Sequence, residues 1–202
     1  MSRDDLFNLF SSGKNISEID DPKLVESGKM VSRLLEEALA TLITDFGDKI
    51  SEMTTCMWKI VGSKYVTVGM ISFVESVSFF YSKKDGVVVS AVAIPTNWIA
   101  KFNEDPIHGT GALVFASSQA VDSYNDRFGI DSNEKIKNRA RAFEAQYLHE
   151  IRKSLSGRSG VWTPNKYQKD LMEAFPEGLV SDEAEGLLYE YKDVMRKSGL
   201  NA

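Results

Sequence analysis

The clearest pattern of apolar and polar positions lies between residues 54 and 94, in runs rich in Val, Ile, Phe, Tyr and Thr. These side chains suit a pleated, half-buried surface. Asp85-Gly86 stands between two of the runs and is a strong hairpin signal, because Gly accepts a positive φ and Asp tolerates one. The pattern predicts an antiparallel meander of about four strands, over residues 56–61, 64–74, 76–82 and 87–94.

The predicted strands have no cleanly polar face. In the second strand, one pleat face carries Ile71 and Phe73, and the other carries Val66, Val68 and Met70. A strand that is apolar on both sides needs cover on both sides. We therefore expect helices on one face of the sheet and either a further helix or a partner on the other.

Helical periodicity, with apolar residues three and four positions apart, dominates the rest of the chain. A short helix at residues 4–10 and a polar loop at residues 11–21 would form an N-terminal arm, which either packs on its own domain or docks on a partner. Asp131 and Glu134 have the spacing of a capping box. Further helices are predicted at residues 29–46, 95–102, 112–128, 132–155, 164–175 and 181–197, with a loop at residues 103–111. The predicted class is α+β, with an N-terminal helix, the β-meander and a helical C-terminal half.

The stretch Ser156-Gly157-Arg158-Ser159-Gly160 reads as a flexible connector between helical segments. It predicts a division of the chain into two parts. Residues 1–160 would form an α+β core domain that includes the N-terminal arm, residues 1–21. Residues 161–202 would form a C-terminal helical appendage.

Composition fits an ordinary globular chain of 202 residues with 43% hydrophobic residues. Cys56 is the single cysteine, which fits a reducing compartment because it has no disulfide partner within the chain. The N-terminal residues lack the profile of a signal peptide, and no run approaches the roughly 20 apolar residues of a membrane span. The expectation is a cytoplasmic protein without membrane contact, of cellular, viral or phage origin.

Candidate catalytic and metal-binding motifs lack the context that their chemistry requires. Asp45-Phe46-Gly47 spells a kinase triplet without the other kinase motifs, and the two glycines at Gly109 and Gly111 fall short of a nucleotide-binding loop. His108 and His149 have no second histidine or cysteine at ligand spacing. A site built from Asp105, His108 and a distant serine stays open as an alternative. We predict no enzyme activity, no catalytic or metal site, and no cofactor.

Charge is distributed unevenly along the chain. The formal net charge is −5, yet residues 135–169 contain nine basic residues against two acidic ones. Clustered Lys and Arg bind phosphates, and aromatic side chains among them can stack on unpaired bases. The competing explanation is that these cations pair with the acidic remainder of the protein or stay solvated.

The leading functional expectation is a non-enzymatic binding or assembly protein that contacts RNA or single-stranded DNA through this basic segment. The expected phosphate-binding and base-stacking residues are Arg139, Arg141, Arg152, Lys153, Arg158, Lys166, Trp162 and Tyr167. The alternative is a protein–protein adaptor or a structural assembly subunit without nucleic-acid contact. In that case the N-terminal arm, a sheet face or the C-terminal helices would bind a protein partner or a second copy.

Overall fold

The computed structural model describes residues 3–11, 21–42, 52–53, 56–61, 76–126, 129–156 and 162–176. Six helices and three strands follow one another within these residues. The elements are α1 (Arg3–Ser11), α2 (Pro22–Ala40), β1 (Met57–Val61), β2 (Ser78–Lys84), β3 (Val87–Pro95), α3 (Trp98–Glu104), α4 (Pro106–Asn125), α5 (Asn133–Leu155) and α6 (Lys166–Ala174). The predicted α+β class is therefore confirmed.

The hairpin predicted at Asp85-Gly86 is present and joins β2 to β3. The two strands are antiparallel, from Lys84 opposite Val87 onwards. Asp85 and Gly86 adopt φ values of 50° and 80°, which are the positive angles that this turn requires.

The predicted antiparallel meander is wrong for β1. β1 runs parallel to β3, from Met57 opposite Ala91 to Val61 opposite Pro95, and the described sheet is mixed. A meander requires consecutive strands to be neighbours, whereas β3 lies between β1 and β2 here. Three strands are described instead of four, and the strand predicted at residues 64–74 lies outside the described residues.

One face of the sheet packs against helices α2 and α4. Trp58 and Ile60 from β1 and Val92 and Ile94 from β3 belong to one apolar cluster with buried residues of those helices. Ser90 adds a polar contact, since its Oγ donates to the carbonyl oxygen of Ala120 at 2.6 Å. This cluster continues into α5 and α6 and forms the main core.

The opposite face is covered by α1, the helical part of the predicted N-terminal arm. Phe7 and Phe10 form a second apolar cluster with side chains of all three strands. The rings of Phe10 and Phe80 stack with centroids 5.2 Å apart. Lys59 is fully buried in the same layer, and its Nζ donates to the carbonyl oxygen of Leu9 at 2.6 Å. The helical part of the arm thus packs on its own domain.

The start of α4 corrects the loop predicted at residues 103–111. Asp105 caps the helix by accepting a hydrogen bond from the His108 backbone N–H at 3.1 Å, and Pro106 occupies the first helical position. Gly109 and Gly111, which suggested a turn, lie inside the helix. A Cβ on Gly109 would lie 2.4 Å from the Phe102 ring, so this glycine lets α3 approach α4 closely.

The other helix boundaries differ by smaller amounts. α2 begins at Pro22, seven residues before the predicted start, with Asp21 as its cap, and the predicted end at residue 46 lies outside the described residues. α5 begins at Asn133, one residue after the predicted start, because its cap is Ser132 and not Asp131, and it ends at Leu155 as predicted. α6 begins at Lys166 with a capping box of Asn165 and Gln168. The helix predicted at residues 181–197 lies outside the described residues.

Candidate functional site

Arg139, the first residue of the predicted basic site, is held inside the protein by two carboxylates. Its Nε lies 3.1 Å from an oxygen of Asp122 on α4, and its Nη2 contacts Asp131, just before α5. Only 10% of the Arg139 side chain is exposed. Lys135 lies 3.2 Å from Asp131 and completes what we call the Arg139 network: Arg139, Asp122, Asp131 and Lys135.

The charges in this network keep Asp131 ionised. Burial alone would raise the pKa of Asp131, but hydrogen bonds and charge from Arg139 and Lys135 hold the pKa below its usual value. The neighbouring carboxylates likewise raise the pKa of Arg139 despite its burial. Arg139 therefore links α4 to the start of α5 and is occupied by acids of its own chain.

The remaining cations of the predicted site are spread over the outer surfaces of α5 and α6. Lys153 lies 3.0 Å from Glu150, and Lys166 lies 2.9 Å from Asp170, both within their own helices. Arg141 is half-buried and Arg152 is exposed. Arg158 lies outside the described residues.

The two aromatic residues of the predicted site differ in their surroundings. Trp162 is half-buried and packs against the main core. Tyr167 has 47% of its surface exposed, and its hydroxyl donates to Oε2 of Glu144 at 2.8 Å. The structure thus brings Tyr167 and Arg141 to Glu144 and takes Arg139 into the interior. Contact of this segment with nucleic acid stays a prediction.

Glu144 is a buried carboxyl group that the sequence pattern did not single out. It lies on α5 with 3% of its surface exposed, and Gly111 of α4 leaves space for it, since a Cβ there would lie 3.2 Å from Oε1. Burial raises the pKa of Glu144 to about 7, against the opposing effects of the Tyr167 hydroxyl and the Arg141 charge. This residue changes charge near neutral pH.

Two polar residues near the start of α4, Asp105 and Thr110, have hydrogen-bond partners. Burial raises the pKa of Tyr147 to about 12, and a hydrogen bond between Tyr147 and Thr110 acts in the opposite direction. The His108 ring lies 5.7 Å from the Trp98 ring, and its Nδ1 is buried without a hydrogen-bond partner among the described residues. Asp105 serves as the α4 cap, so the carboxylate that the alternative catalytic site would use is engaged with the backbone.

His149, the second histidine, connects two helices. Its Nε2 lies 2.9 Å from the carbonyl oxygen of Phe175, at the end of α6. Within the described ranges, no group of three or more His, Cys, Asp or Glu side chains is placed to hold a metal ion. Cys56 is buried, and burial raises the pKa of its thiol to about 12, which disfavours the reactive thiolate.

A cleft lies beside the first half of β3, where the sheet is paired on one side only. β2 pairs with β3 from Val87 onwards, but β1 pairs with it only from Ala91. Among the described residues, no strand lies beside Val87–Ser90 on the β1 side. We call this space the β3 cleft; it has a volume of about 420 Å³. Its lining residues are Phe10, Ser11, Glu52, Cys56, Met57, Val87, Val88, Val89, Ser90, Ala120, Val121, Tyr124 and Asn125.

The backbone direction of β3 places hydrogen-bonding groups in this cleft. The Thr96 N–H donates to the carbonyl oxygen of Val61 on β1 at 3.0 Å. Because backbone groups alternate sides along a strand, the N–H groups of Val88 and Ser90 point to the same flank as that of Thr96. At Val88 this flank lies beyond the end of β1.

The β3 cleft could not be found from the apolar pattern alone. Its existence depends on the parallel pairing of β1, which starts four residues after the start of β3. The exposed fractions of Val87 and Tyr124, 52% and 41%, mark its rim, but the sequence gives no sign that these apolar residues are exposed.

Comparisons with protein-family models, with curated proteins and with solved structures find no match for this chain. None of the described helices is long and apolar enough to cross a membrane.

Proposed function

We propose that this protein is a non-enzymatic assembly or adaptor protein that binds an extended polypeptide segment in the β3 cleft. The observation that carries the proposal is the half-paired flank of β3, where no described strand lies beside Val87–Ser90. An exposed strand edge presents main-chain donors and acceptors, and these groups bind an added strand.

Apolar side chains border the flank on both sides of the sheet plane. Phe10 and Val89 lie on the α1 side, and Ala120 and Val121 lie on the α4 side. Successive side chains of a strand point to opposite faces. The β3 cleft therefore favours a segment that is apolar at consecutive positions, and its volume of about 420 Å³ falls in the range of sites that bind small ligands or side chains.

The test measures binding of a short fluorescent peptide that has a central run of Val and Ile between terminal lysines. The acceptor variant is Val87→Lys, because a lysine on a strand edge opposes strand addition. Its matched control is Val25→Lys on α2, since Val25 and Val87 are 54% and 52% exposed. We expect saturable binding that Val87→Lys weakens about tenfold, because the lysine removes an apolar contact and opposes strand addition at the edge, and that Val25→Lys leaves unchanged.

Two results would overturn the proposal. One is a failure of the peptide to bind the wild-type protein. The other is equal binding to the wild-type and Val87→Lys proteins. A peptide with Pro in its central run is the ligand control, because Pro lacks the N–H that strand pairing uses. Hydrogen exchange of backbone amides adds a direct readout. Bound peptide should slow exchange of the Val88 N–H more than that of the Val89 N–H, because the Val89 N–H faces β2.

Contact with RNA or single-stranded DNA is a second candidate function. Its support is the set of cations on the outer surfaces of α5 and α6, together with the half-exposed Tyr167 ring. Lys137, Arg152 and Lys169 are exposed there, and the side chain of Lys166 is 91% exposed despite its ion pair. Exposed ion pairs are weak and exchange readily for phosphate contacts.

The nucleic-acid test compares two triple variants for binding of a fluorescent oligouridylate at several salt concentrations. The first replaces Arg141, Arg152 and Lys166 by Gln. The control replaces Lys23, Lys29 and Arg33 on the exposed surface of α2 in the same way. Selective loss of affinity and a shallower salt dependence in the first variant are expected. Equal effects of both variants would exclude the basic segment as the binding surface.

A further inference from the structure

We infer that the docking of α6 on α5 depends on pH: α6 stays in place while Glu144 is protonated and leaves α5 more often once Glu144 ionises. The inference does not depend on peptide binding in the β3 cleft, whose lining residues come from other elements. Its basis is the set of contacts that join α6 to α5, and the way in which each contact responds to charge.

α6 is too short to keep its helical form without its neighbour. It has nine residues, Lys166–Ala174, whereas isolated helices shorter than about 12 residues are only marginally stable in water. It packs on α5, and its Leu171 and Met172 side chains are buried in the main core. Loss of this packing would therefore unfold α6 locally, and the rest of the protein would stay folded.

Two side chains of α5 hold the two ends of α6. In the first turn of α6, the Tyr167 hydroxyl donates to Oε2 of Glu144 at 2.8 Å. Just after the last turn, the carbonyl oxygen of Phe175 lies 2.9 Å from Nε2 of His149. A carbonyl oxygen only accepts hydrogen bonds, so Nε2 is the donor, and it carries a proton both in this neutral tautomer and in the imidazolium. Of the two contacts, the one with Glu144 is therefore the one that responds to a change of charge near neutral pH.

The surroundings of Glu144 favour its neutral form while α6 is docked. Tyr167 of α6 and Arg141 of α5 favour the charged form, and α4 faces the carboxyl group with Gly111, which has no side chain. Burial outweighs both groups and raises the pKa of Glu144 to about 7. Since α6 helps to bury Glu144, its departure would hydrate the carboxyl group and lower the pKa towards its ordinary value. A pKa that is higher in the docked state than in the released state means that release becomes more favourable as pH rises.

Gln168 makes the docked state of α6 less favourable at any pH. Its side chain is buried, and its Oε1 accepts a hydrogen bond from the Asn165 backbone N–H at 2.9 Å. Its Nε2 is buried without a hydrogen-bond partner among the described residues. A buried donor without a partner is unfavourable, and release of α6 would return this one to water. The docked and released states are thus closer in free energy than the apolar contacts of α6 alone would make them.

The test measures hydrogen exchange of the α6 backbone amides in the full chain at pH 6 and pH 8, with each rate divided by the intrinsic rate at that pH. With a pKa of about 7 in the docked state and the ordinary value of 4.5 after release, the released fraction should rise about tenfold between pH 6 and pH 8. The amides of α4 are the internal reference for global unfolding. We expect α6 to be less protected than α4 at both pH values, as local release requires.

Three variants identify the group responsible. Glu144→Gln cannot ionise, so the released fraction of α6 should be the same at pH 6 and pH 8. The matched control is Glu150→Gln, which replaces another carboxylate of α5, 3.0 Å from Lys153, and should keep the rise of wild type. Tyr167→Phe removes a hydroxyl that favours the charged form of Glu144, so its rise should exceed that of wild type. This last variant decides the question if Glu144→Gln does not fold.

Each of four results would contradict the inference. The first is wild-type α6 protection that is the same at pH 6 and pH 8. The second is a rise that persists in Glu144→Gln, and the third is a rise in Tyr167→Phe that is no larger than in wild type. The fourth is α6 protection equal to that of α4, because α6 would then leave α5 only when the whole protein unfolds.

Discussion

Helix α5 carries two buried charged groups that the protein stabilises in opposite ways. Arg139 is surrounded by acids, with Asp122 and Asp131 in direct contact. Glu144, five residues later, has one hydroxyl as its direct partner, and burial raises its pKa to about 7. Burial is tolerated in the first case because opposite charges compensate for lost hydration, and in the second because the carboxyl group can take up a proton. The same helix thus carries an ion-paired arginine whose charge does not change near neutral pH and a carboxyl group whose charge does.

The largest effect should come from Arg139→Met, which removes the cation and leaves its two acids buried without it. Breaking one side of a buried ion pair costs about 3–5 kcal/mol of unfolding free energy. Urea denaturation measures this loss. The pKa of Asp131 is lowered in the folded protein, so the stability it contributes is present above its unfolded pKa and is lost only in acid. In Arg139→Met the buried Asp131 carboxyl group lacks this cation and takes up a proton more readily, so the loss should be no larger at pH 5 than at pH 8, and a larger loss at pH 5 would contradict the assignment.

The second prediction concerns the pH dependence that Glu144 imposes. Its pKa is raised from 4.5 to about 7, so folding favours its protonated form. The stability it contributes is fully present below pH 4.5 and is lost as pH rises through 7, by roughly 3 kcal/mol in all. Glu144→Gln keeps the shape of the neutral acid and cannot ionise. Urea unfolding at pH 5 and pH 8 should differ less in this variant than in wild type, and an unchanged difference would show that Glu144 is not the group responsible.

A smaller effect is expected for Tyr167→Phe, which removes the hydroxyl that donates to Glu144. A hydrogen bond to a charged group contributes about 1.5–3 kcal/mol and one between neutral groups about 1 kcal/mol. The variant should therefore lose more stability at pH 8, where Glu144 is ionised, than at pH 5. Equal losses at the two pH values would mean that the hydroxyl does not distinguish the two forms of Glu144.

The smallest effect should follow Lys166→Ala, which removes an ion pair with Asp170 at the surface of α6. The two side chains are 91% and 60% exposed. Exposed pairs of this kind contribute little to stability, because water and salt screen them. The midpoint of urea denaturation should hardly move. The contrast with Arg139→Met distinguishes a buried basic residue that stabilises the fold from an exposed one that does not. A loss as large as that of Arg139→Met would refute this distinction.

Elements set by local chemistry were predictable from the sequence. The hairpin follows from the backbone angles available to Asp85 and Gly86, and α5 follows from its apolar period. The start of α4 was missed because Gly109 and Gly111 usually mark turns. Here they lie inside a helix, where Phe102 comes too close to Gly109 for a larger side chain and Glu144 lies tightly against Gly111.

Features that depend on distant pairs were not predictable. The parallel pairing of β1 with β3 joins residues more than thirty positions apart, and no local pattern encodes it. Arg139 looked available for phosphate because its partner Asp122 lies on another helix. Glu144 counted only as one acid in a basic segment. Its burial arises from the contact of three helices, α4, α5 and α6.

The buried Lys59 makes the attachment of the N-terminal helix open to chemical labelling. Its amine lies beneath α1 and donates to Leu9, so a reagent that acylates lysines cannot reach it while the helix is in place. The rate at which Lys59 is acylated in native protein therefore reports how often α1 lifts from the sheet, and mass spectrometry can follow it without any mutation.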